Sequence, residues 1–382
     1  MENLTLTMYD QQLRVLNDQL NNYRDKVLGY PISSDFDFSE LYSFLKFSIN
    51  NIGDPFEDCN YRVQTTNLEK EVIGFFASLF NADPNDYWGY ITNGGSENNL
   101  CGLHTARKLY PNGVVYYADA AHYSVPKSID ILNMKSSEIA TDFYGEMDYQ
   151  DLEIKLAANK DYPAIFSLNF GSTMTEAKDN VEKVKKVIQK CGVTTTYIHI
   201  DGALSGSYGA FIEPRIPFDF SDGIDSICLS AHKFLGSPMP AGVFITKKSI
   251  RNKTLRPMEV IDSYDSTVTG SRNGHTPLFL WYTIKKMGVE GLKNRYLGCL
   301  EVTNYCVKQL NEIGIECWVN PGGITVFFRA VSMELKKKWQ LATVAGITHI
   351  ICMPNVTKQH IDAFIKDVIL DEKIQCVNGP IL

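Results

Sequence analysis

The chain has 382 residues, 44% hydrophobic and 21% charged. Those are ordinary globular proportions. They exclude a disordered, collagen-like or low-complexity chain, and the length allows a large core built as two or three units. Lys and Arg number 37 against 44 Asp and Glu, a net charge of −7. That balance argues against nucleic acid as the main partner, because phosphate binding needs a basic face, but it leaves room for a local pocket around one small anion.

The opening residues, MENLTLTMYDQQLRVLNDQL, lack a basic stretch followed by an apolar run, so no signal peptide is expected. No run approaches ~18 apolar residues, so no membrane span is expected either. The nine cysteines (59, 101, 191, 228, 299, 306, 317, 352 and 376) form no C-x-x-C pair. Such an odd, scattered set predicts reduced thiols in a cytoplasmic protein.

Leu13, Val15, Leu16 and Leu20 recur near helical spacing and predict an amphipathic helix over 5–27, stopped by Gly29-Tyr30-Pro31. A second helix is predicted over 38–50 and a third over 67–80, the latter with Thr66 as N-cap and Glu69 completing a capping box. Beyond these, short apolar runs alternate with helical patterns. Strands are predicted at Gly89–Thr92, Val114–Tyr117, Ala164–Asn169, Thr195–Ile200, Ser226–Leu229 and Gly242–Thr246. Helices are predicted at Ser96–Tyr110, Ser124–Leu132, Tyr149–Ala158 and Val181–Cys191. This alternation predicts an α/β fold with a mostly parallel sheet covered on both faces, and a ligand outside the carboxyl ends of its strands. Residues 257–276 are polar and turn-rich and read as a mobile loop. Helices near 277–287 and 291–313, strands at Gly323–Phe328 and Thr348–Cys352 and a helix over 358–369 predict a small C-terminal α+β domain. The expected division is an N-terminal helical segment over 1–55, a large ligand-binding domain over 56–276 and a linking helix with the small domain over 277–382. No internal repeat is present.

Four segments at strand ends carry chemistry. Thr92-Asn93-Gly94-Gly95-Ser96-Glu97-Asn98 joins a strand to a helix; paired glycines admit an anion close to the backbone, and Ser96 opens a helix whose N-terminus is partly positive. The motif lacks the Gly-Lys-Ser/Thr of a P-loop, and it reads equally as a capped turn. Asp201 ends an apolar strand, where its carboxylate can pair with a buried cation or cap the next turn. Lys233 follows another buried strand, with Gly236-Ser237-Pro238 building a tight turn beyond it. A buried lysine is costly unless it is paired or chemically used, and burial lowers an amine's pKa in the direction Schiff-base chemistry needs. The alternative is a lysine snorkelling at a loop edge. His122, in Ala121-His122-Tyr123-Ser124, can stack on a flat ring or serve as a structural group. Together the four ask for one ligand with a phosphate, an aromatic ring bearing a basic nitrogen, and an aldehyde. Pyridoxal 5′-phosphate is that ligand, and no metal is called for.

At this point the sequence resembles the group II pyridoxal-phosphate-dependent amino-acid decarboxylases of fold type I. It is most similar to the branch holding bacterial histidine decarboxylases and plant serine decarboxylases. The resemblance runs from about Gly29 to the C-terminus. It rests on Gly29-Tyr30-Pro31, Phe47-Ser48-Ile49-Asn50-Asn51, Trp88-Gly89-Tyr90 with Gly94-Gly95-Ser96-Glu97, and His122-Tyr123-Ser124-Val125. It continues through Asp222-Gly223-Ile224-Asp225-Ser226, His232-Lys233 with Gly236-Ser237-Pro238, and Gly270 through Pro277 (GSRNGHTP). It implies an aspartate-aminotransferase-like fold with a seven-stranded, mostly parallel sheet and a homodimer with interface active sites.

The same resemblance implies the residue roles. Lys233 is the Schiff-base lysine, Asp201 the partner of the pyridine nitrogen, and His122 the group stacked on the ring and against the substrate. Ala203 closes the other ring face and Thr173 lies near the ring hydroxyl or the substrate carboxylate. Gly95, Ser96, Ser230 and His232 hold the phosphate, and Ser271 reaches the phosphate of the other subunit. Tyr30 and Asn60 join His122 as substrate-pocket candidates. The implied reaction is decarboxylation of L-histidine to histamine, with serine or another small polar amino acid as the alternative. Departures from the pattern are Asn98 for a usual Gly, Gly202 for a usual Ala, and Glu176 and Lys178 in a usually small, apolar stretch. Val260 stands where relatives carry a loop Tyr that reprotonates the substrate carbon. Tyr264 or Tyr123 is available instead; without either, an aldehyde-forming oxidase or lyase outcome opens. A silent homologue acting as a binding protein has no chemical reason to keep Lys233, Asp201 and His122.

Overall fold

The apolar runs form the strands of one large sheet. The computed structural model describes the backbone of residues 2–378 and the side chains of 9–371, which leaves Cys376 outside the described side chains. In chain order the strands are β1 (Trp88–Thr92), β2 (Val114–Ala118), β3 (Lys135–Ile139), β4 (Ala164–Asn169), β5 (Thr196–Asp201), β6 (Ser226–Ser230) and β7 (Gly242–Thr246). Their spatial order is β1-β7-β6-β5-β4-β2-β3. β7 runs antiparallel to both neighbours and the other pairings are parallel. Seven strands with one reversed is the mostly parallel sheet expected.

Alternate residues of each strand face opposite layers. Val115, Tyr117, Ile165 and Tyr197 pack with Leu103 and Ala106 of helix Gly95–Leu109 and with Val125 and Ile129 of helix Ser124–Ile131. Tyr116, Phe166 and Ile198 belong to the larger core with Leu152 and Leu156 of helix Tyr149–Ala158 and Val181 and Val184 of helix Val181–Cys191. Both faces are therefore covered, which is why these strands read as continuous apolar runs. β3 is the exception and was absent from the predicted strands. Its Lys135, Ser136 and Glu138 are exposed at the sheet edge, so it lacks the apolar run.

The C-terminal part follows helix His275–Glu312, broken at Gly288, where φ is +60°. Its four-stranded antiparallel sheet has the order Cys317–Trp318, Thr325–Arg329, Ile347–Ile351, Thr343–Val344. Helix Lys358–Asn378 packs against it through Phe364, which meets Phe328.

Three local expectations need correction. Residues 38–50 form no α-helix: a 3-10 turn spans Ser39–Lys46, and Asn50–Ile52 is a strand antiparallel to Ser271–Asn273. Phe38 and Leu41 pack on Leu278, Phe279 and Tyr282, so tertiary contact decides this segment. The capping box at 66–69 does not form. Thr65 is the N-cap residue, and the buried Glu69 pairs with Arg272 while accepting from the Ile91 amide and Asn51 Nδ2, each at 2.8 Å. A carboxylate beside a buried guanidinium gains more inside than at the cap. Residues 257–276 contain regular structure: a hairpin of Arg256–Met258 with Ser263–Asp265, then the strand Ser271–Asn273.

Candidate active site

The carboxyl ends of β1, β2, β4, β5 and β6 lie along one edge of the sheet, and each delivers one group of the candidate site. β5 ends on Asp201, which is buried. Its Oδ2 accepts from Asn99 Nδ2 at 2.7 Å and its Oδ1 from the Ala203 amide at 3.1 Å. β6 ends on Ser230, and the turn after it carries His232 and Lys233. The Lys233 amine is pushed below its ordinary pKa by burial, with Asp201 and the Cys228 thiol opposing. The loop after β2 presents His122, lowered by burial and by Lys233 and opposed by Asp201. His122, Asp201 and Lys233 are thus close enough to feel one another's charge. His122 is further held by Ser124 Oγ, 2.7 Å from its Nδ1.

The glycine turn after β1 supplies the floor for an anion. Gly94 has φ +131°, outside the range of most side chains, and a Cβ there would lie 3.4 Å from His232 Cε1. A Cβ on Gly95 would come within 2.7 Å of Ser230 Oγ and 3.7 Å of Ala203 Cβ. The turn therefore brings Gly95, Ser230, Ala203 and His232 together. No side chain caps the helix that starts at Gly95, so its first amides remain open to an anion. His232 Nδ1 lies 3.0 Å from the Ala241 carbonyl, and burial lowers the ring's pKa. Uncapped amides, a serine hydroxyl, an amine of reduced basicity and a buried carboxylate form the donor set that pyridoxal phosphate requires, and these residues fit it.

The other predicted residues stand further out. Ser96 and Thr173 are exposed at the same edge. Ser271 is exposed and accepts from Asn50 Nδ2 at 3.1 Å. Tyr30 is exposed, on a segment tied to the Lys233 turn by Ser33 Oγ, which donates to the Phe234 carbonyl at 3.4 Å. Asn60 sits beside the 256–265 hairpin, its amide donating to the Ile261 carbonyl at 3.3 Å. Among the described residues, neither the Tyr30 nor the Asn60 side chain hydrogen-bonds to His122, Asp201 or Lys233.

Asn99, Ser124 and His199 had not been singled out, yet all three are built into the floor of the site. The only sequence signal for Asn99 was its place directly after the glycine turn. Asn98 proves to be a strut: it accepts from Thr92 Oγ1 at 2.7 Å and donates to the Leu229 carbonyl at 2.9 Å.

A seven-stranded α/β sheet with a lysine, a carboxylate and an anion cradle at one edge defines a pyridoxal-phosphate enzyme of fold type I. Residues 43–330 match the pyridoxal-dependent decarboxylase conserved domain, and the chain belongs to that family. It is 42% identical to a histidine decarboxylase of Mesorhizobium japonicum, over 89% of this chain and 92% of that one. It is 39% identical to the histidine decarboxylase of Morganella morganii, over 92% of each chain. It is 40% identical to serine decarboxylase 3 of Oryza sativa subsp. japonica, over 89% of this chain and 77% of the other. Among solved structures, L-methionine decarboxylase from Streptomyces sp. 590 superposes with a TM-score of 0.87 at 26% identity, covering 97% of each chain. The protein is a carboxy-lyase and its cofactor is pyridoxal 5′-phosphate. Among the described residues no helix is long and apolar enough to cross a membrane.

Proposed function

We propose that this decarboxylase converts L-histidine to histamine and CO2. The observation that carries the reading is the similarity to bacterial histidine decarboxylases, which extends over about nine-tenths of both chains. Pyridoxal phosphate, when bound, supplies an electron sink for the pair left behind as the carboxylate departs. This chain's own residues bind and orient. Lys233 would hold the cofactor at its aldehyde, since its lowered basicity keeps a neutral amine available. Asp201 would keep the pyridine nitrogen protonated. His122 and Ala203 would hold the ring, with His122 toward the substrate. The uncapped amides at Gly95 and Ser96, with Ser230 and His232, hold the phosphate. Thr173, Tyr30 and Asn60 line the substrate side. The balance is simple: the bond from Cα to the carboxylate breaks, CO2 leaves, and one proton is added to Cα.

That proton is assigned to Tyr264 or Tyr123. Val260 is 89% exposed on a 3-10 turn and carries no proton. Tyr264 is half-exposed on the neighbouring strand, and the Tyr123 ring lies 4.2 Å from that of His122. If neither delivers it, the electron pair needs another acceptor, and with dioxygen as the oxidant the products become an aldehyde, ammonia and hydrogen peroxide. Similarity to the rice enzyme makes serine the second substrate reading.

The division at 55/56 and 276/277, a cytoplasmic location and a homodimer belong to the same proposal. The location is supported by free thiols such as Cys59, Cys101 and Cys317. The dimer is supported by helix Glu2–Arg24, where Tyr9, Leu13, Leu16, Leu20 and Tyr23 are all exposed at spacings of four and three. An apolar stripe of that period is suited to a second copy of the chain, bringing Ser271 near the neighbour's phosphate.

The test is to incubate the cofactor-loaded protein with a mixture of amino acids and follow each by mass spectrometry. Depletion of histidine with equimolar histamine is expected. Depletion of serine with ethanolamine selects the second reading, and an aldehyde with ammonia overturns the decarboxylase outcome.

A further inference from the structure

Behind Asp201 and His122 runs a line of buried polar side chains whose hydrogen-bond directions can be worked out atom by atom. The Ser124 amide points at His122 Nδ1 from 3.2 Å. An amide only donates, so Nδ1 carries a lone pair. Ser124 Oγ, 2.7 Å from the same nitrogen, must therefore donate its proton there as well. That leaves the Ser124 oxygen as an acceptor, and Asn99 Nδ2 donates to it at 2.9 Å. The second proton of the same nitrogen goes to Asp201 Oδ2 at 2.7 Å.

The far side of Asn99 is equally determined. Its Oδ1 accepts from His199 Nε2 at 3.1 Å. His199 Nδ1 then accepts from Ser226 Oγ at 2.8 Å, and Ser226 accepts from the Tyr197 hydroxyl at 2.9 Å. His199 is fully buried and held neutral, its pKa lowered to about 4 by burial against the opposing charge of Asp201. Gly102 makes room for it, since a Cβ there would meet His199 Nδ1 at 2.7 Å. Each group from Tyr197 to His122 thus has one workable orientation, and Asn99 is the branch point.

We propose that Asn99 is a positioning residue: it aims the Ser124 hydroxyl at His122 Nδ1, reinforcing the Nε2-protonated tautomer that the Ser124 amide also demands, and with its other amide proton it fixes the Asp201 carboxylate. His122 then offers an N–H donor, not a base, on the edge away from Ser124. In the decarboxylase site proposed above, that donor suits a group with negative charge, such as a substrate carboxylate. The inference rests on that reading for its meaning and on the hydrogen-bond chain for its content, so the two fail separately.

The test is nitrogen NMR of the cofactor-loaded protein grown on 15N-histidine, in which seven histidines must be distinguished. His122→Gln identifies the His122 signals. The wild type should show the Nε2-protonated pattern at His122. Asn99→Asp keeps the shape of the side chain and removes both amide protons. It should move the His122 Nδ1 signal, because the Ser124 hydroxyl loses the donor that aims it, and weaken cofactor binding about tenfold, as expected for a lost hydrogen bond to a charged group. Should that variant fold poorly, Ser124→Ala cuts only the arm to His122 and should move the same signals. A wild-type His122 protonated on Nδ1, or a His122 Nδ1 signal that moves in neither variant, would overturn the proposal. If the signals move as described but no amino acid is decarboxylated, the positioning role stands and the functional reading falls.

Discussion

Asn99 and Glu176 are both fully buried and both sit at the centre of a polar cluster, but they solve different problems. Asn99 is neutral and lies within the fixed frame of the sheet, bonding Ser124 at the start of helix Ser124–Ile131 and Asp201 and His199 of β5. Glu176 is charged and joins separate parts of the chain. Its Oε1 accepts from Tyr208 at 2.7 Å, Ser205 at 3.0 Å and Lys178 at 3.4 Å. Its Oε2 accepts from the Ile324 amide at 2.8 Å and Thr325 Oγ1 at 2.7 Å. The carboxylate thereby bolts the loop that carries Thr173 to the C-terminal sheet. A charge can be buried so deeply only when every lone pair is met, and removing either side of such a pair is strongly destabilising. The first cluster sets where protons sit; the second sets how two layers are joined.

Substitutions can break this contrast. The largest effect is expected at the site itself. Lys233→Ala should remove the visible absorption of the bound cofactor and lower turnover by at least about a thousandfold, measured by spectroscopy and CO2 release, because the nucleophilic amine has no substitute. Next is Glu176→Leu, which takes from Lys178 its carboxylate partner and from the Ile324 amide and the Tyr208, Ser205 and Thr325 hydroxyls the acceptor they share. It should cost about 3–5 kcal/mol in urea unfolding, and adding Lys178→Met should restore much of the loss. If Glu176→Leu instead spares stability and removes activity, the contrast between the clusters fails.

A pH titration sharpens it further. The unfolded chain protonates His199 near 6.5, whereas the folded chain resists down to about 4. The unfolded state therefore binds more protons in that window, and stability falls as pH drops through it, by up to about 3 kcal/mol. Urea midpoints of the apo-protein should show this slope and lose part of it in His199→Gln. The remainder belongs to His104, also held near 4 by burial and neighbouring cations, and to His122 and His232, whose pKa values burial lowers as well. The smallest effect is expected at Val260. Because its side chain is in solvent, Val260→Tyr should change stability by less than about 0.5 kcal/mol in urea unfolding while leaving the amine as the product.

The edge of the sheet was legible because Asp201, Ser230 and Lys233 each follow an unbroken apolar strand, which fixes their position whatever surrounds them. The glycine turn was legible because glycine is required there, at Gly94 by its positive φ and at Gly95 by the close approach of Ser230. What stayed hidden depends on partners distant in the chain. Asn99 finds Asp201 across 102 residues, and Glu69 finds Arg272 across 203, turning a predicted cap into a buried ion pair. β3 was hidden because an edge strand can keep Ser and Lys where a central one cannot. Glu176 and Lys178 stood out in sequence as departures, but only the fold shows the C-terminal sheet they hold.

In the proposed site the carboxyl edge of this sheet holds pyridoxal phosphate through Lys233. The most direct test is borohydride reduction of the cofactor-loaded protein, followed by digestion and peptide mass mapping. The reduced cofactor is expected on the peptide containing Lys233 and on no other lysine. Label on a different lysine, or none on a protein that still turns over an amino acid, would contradict it.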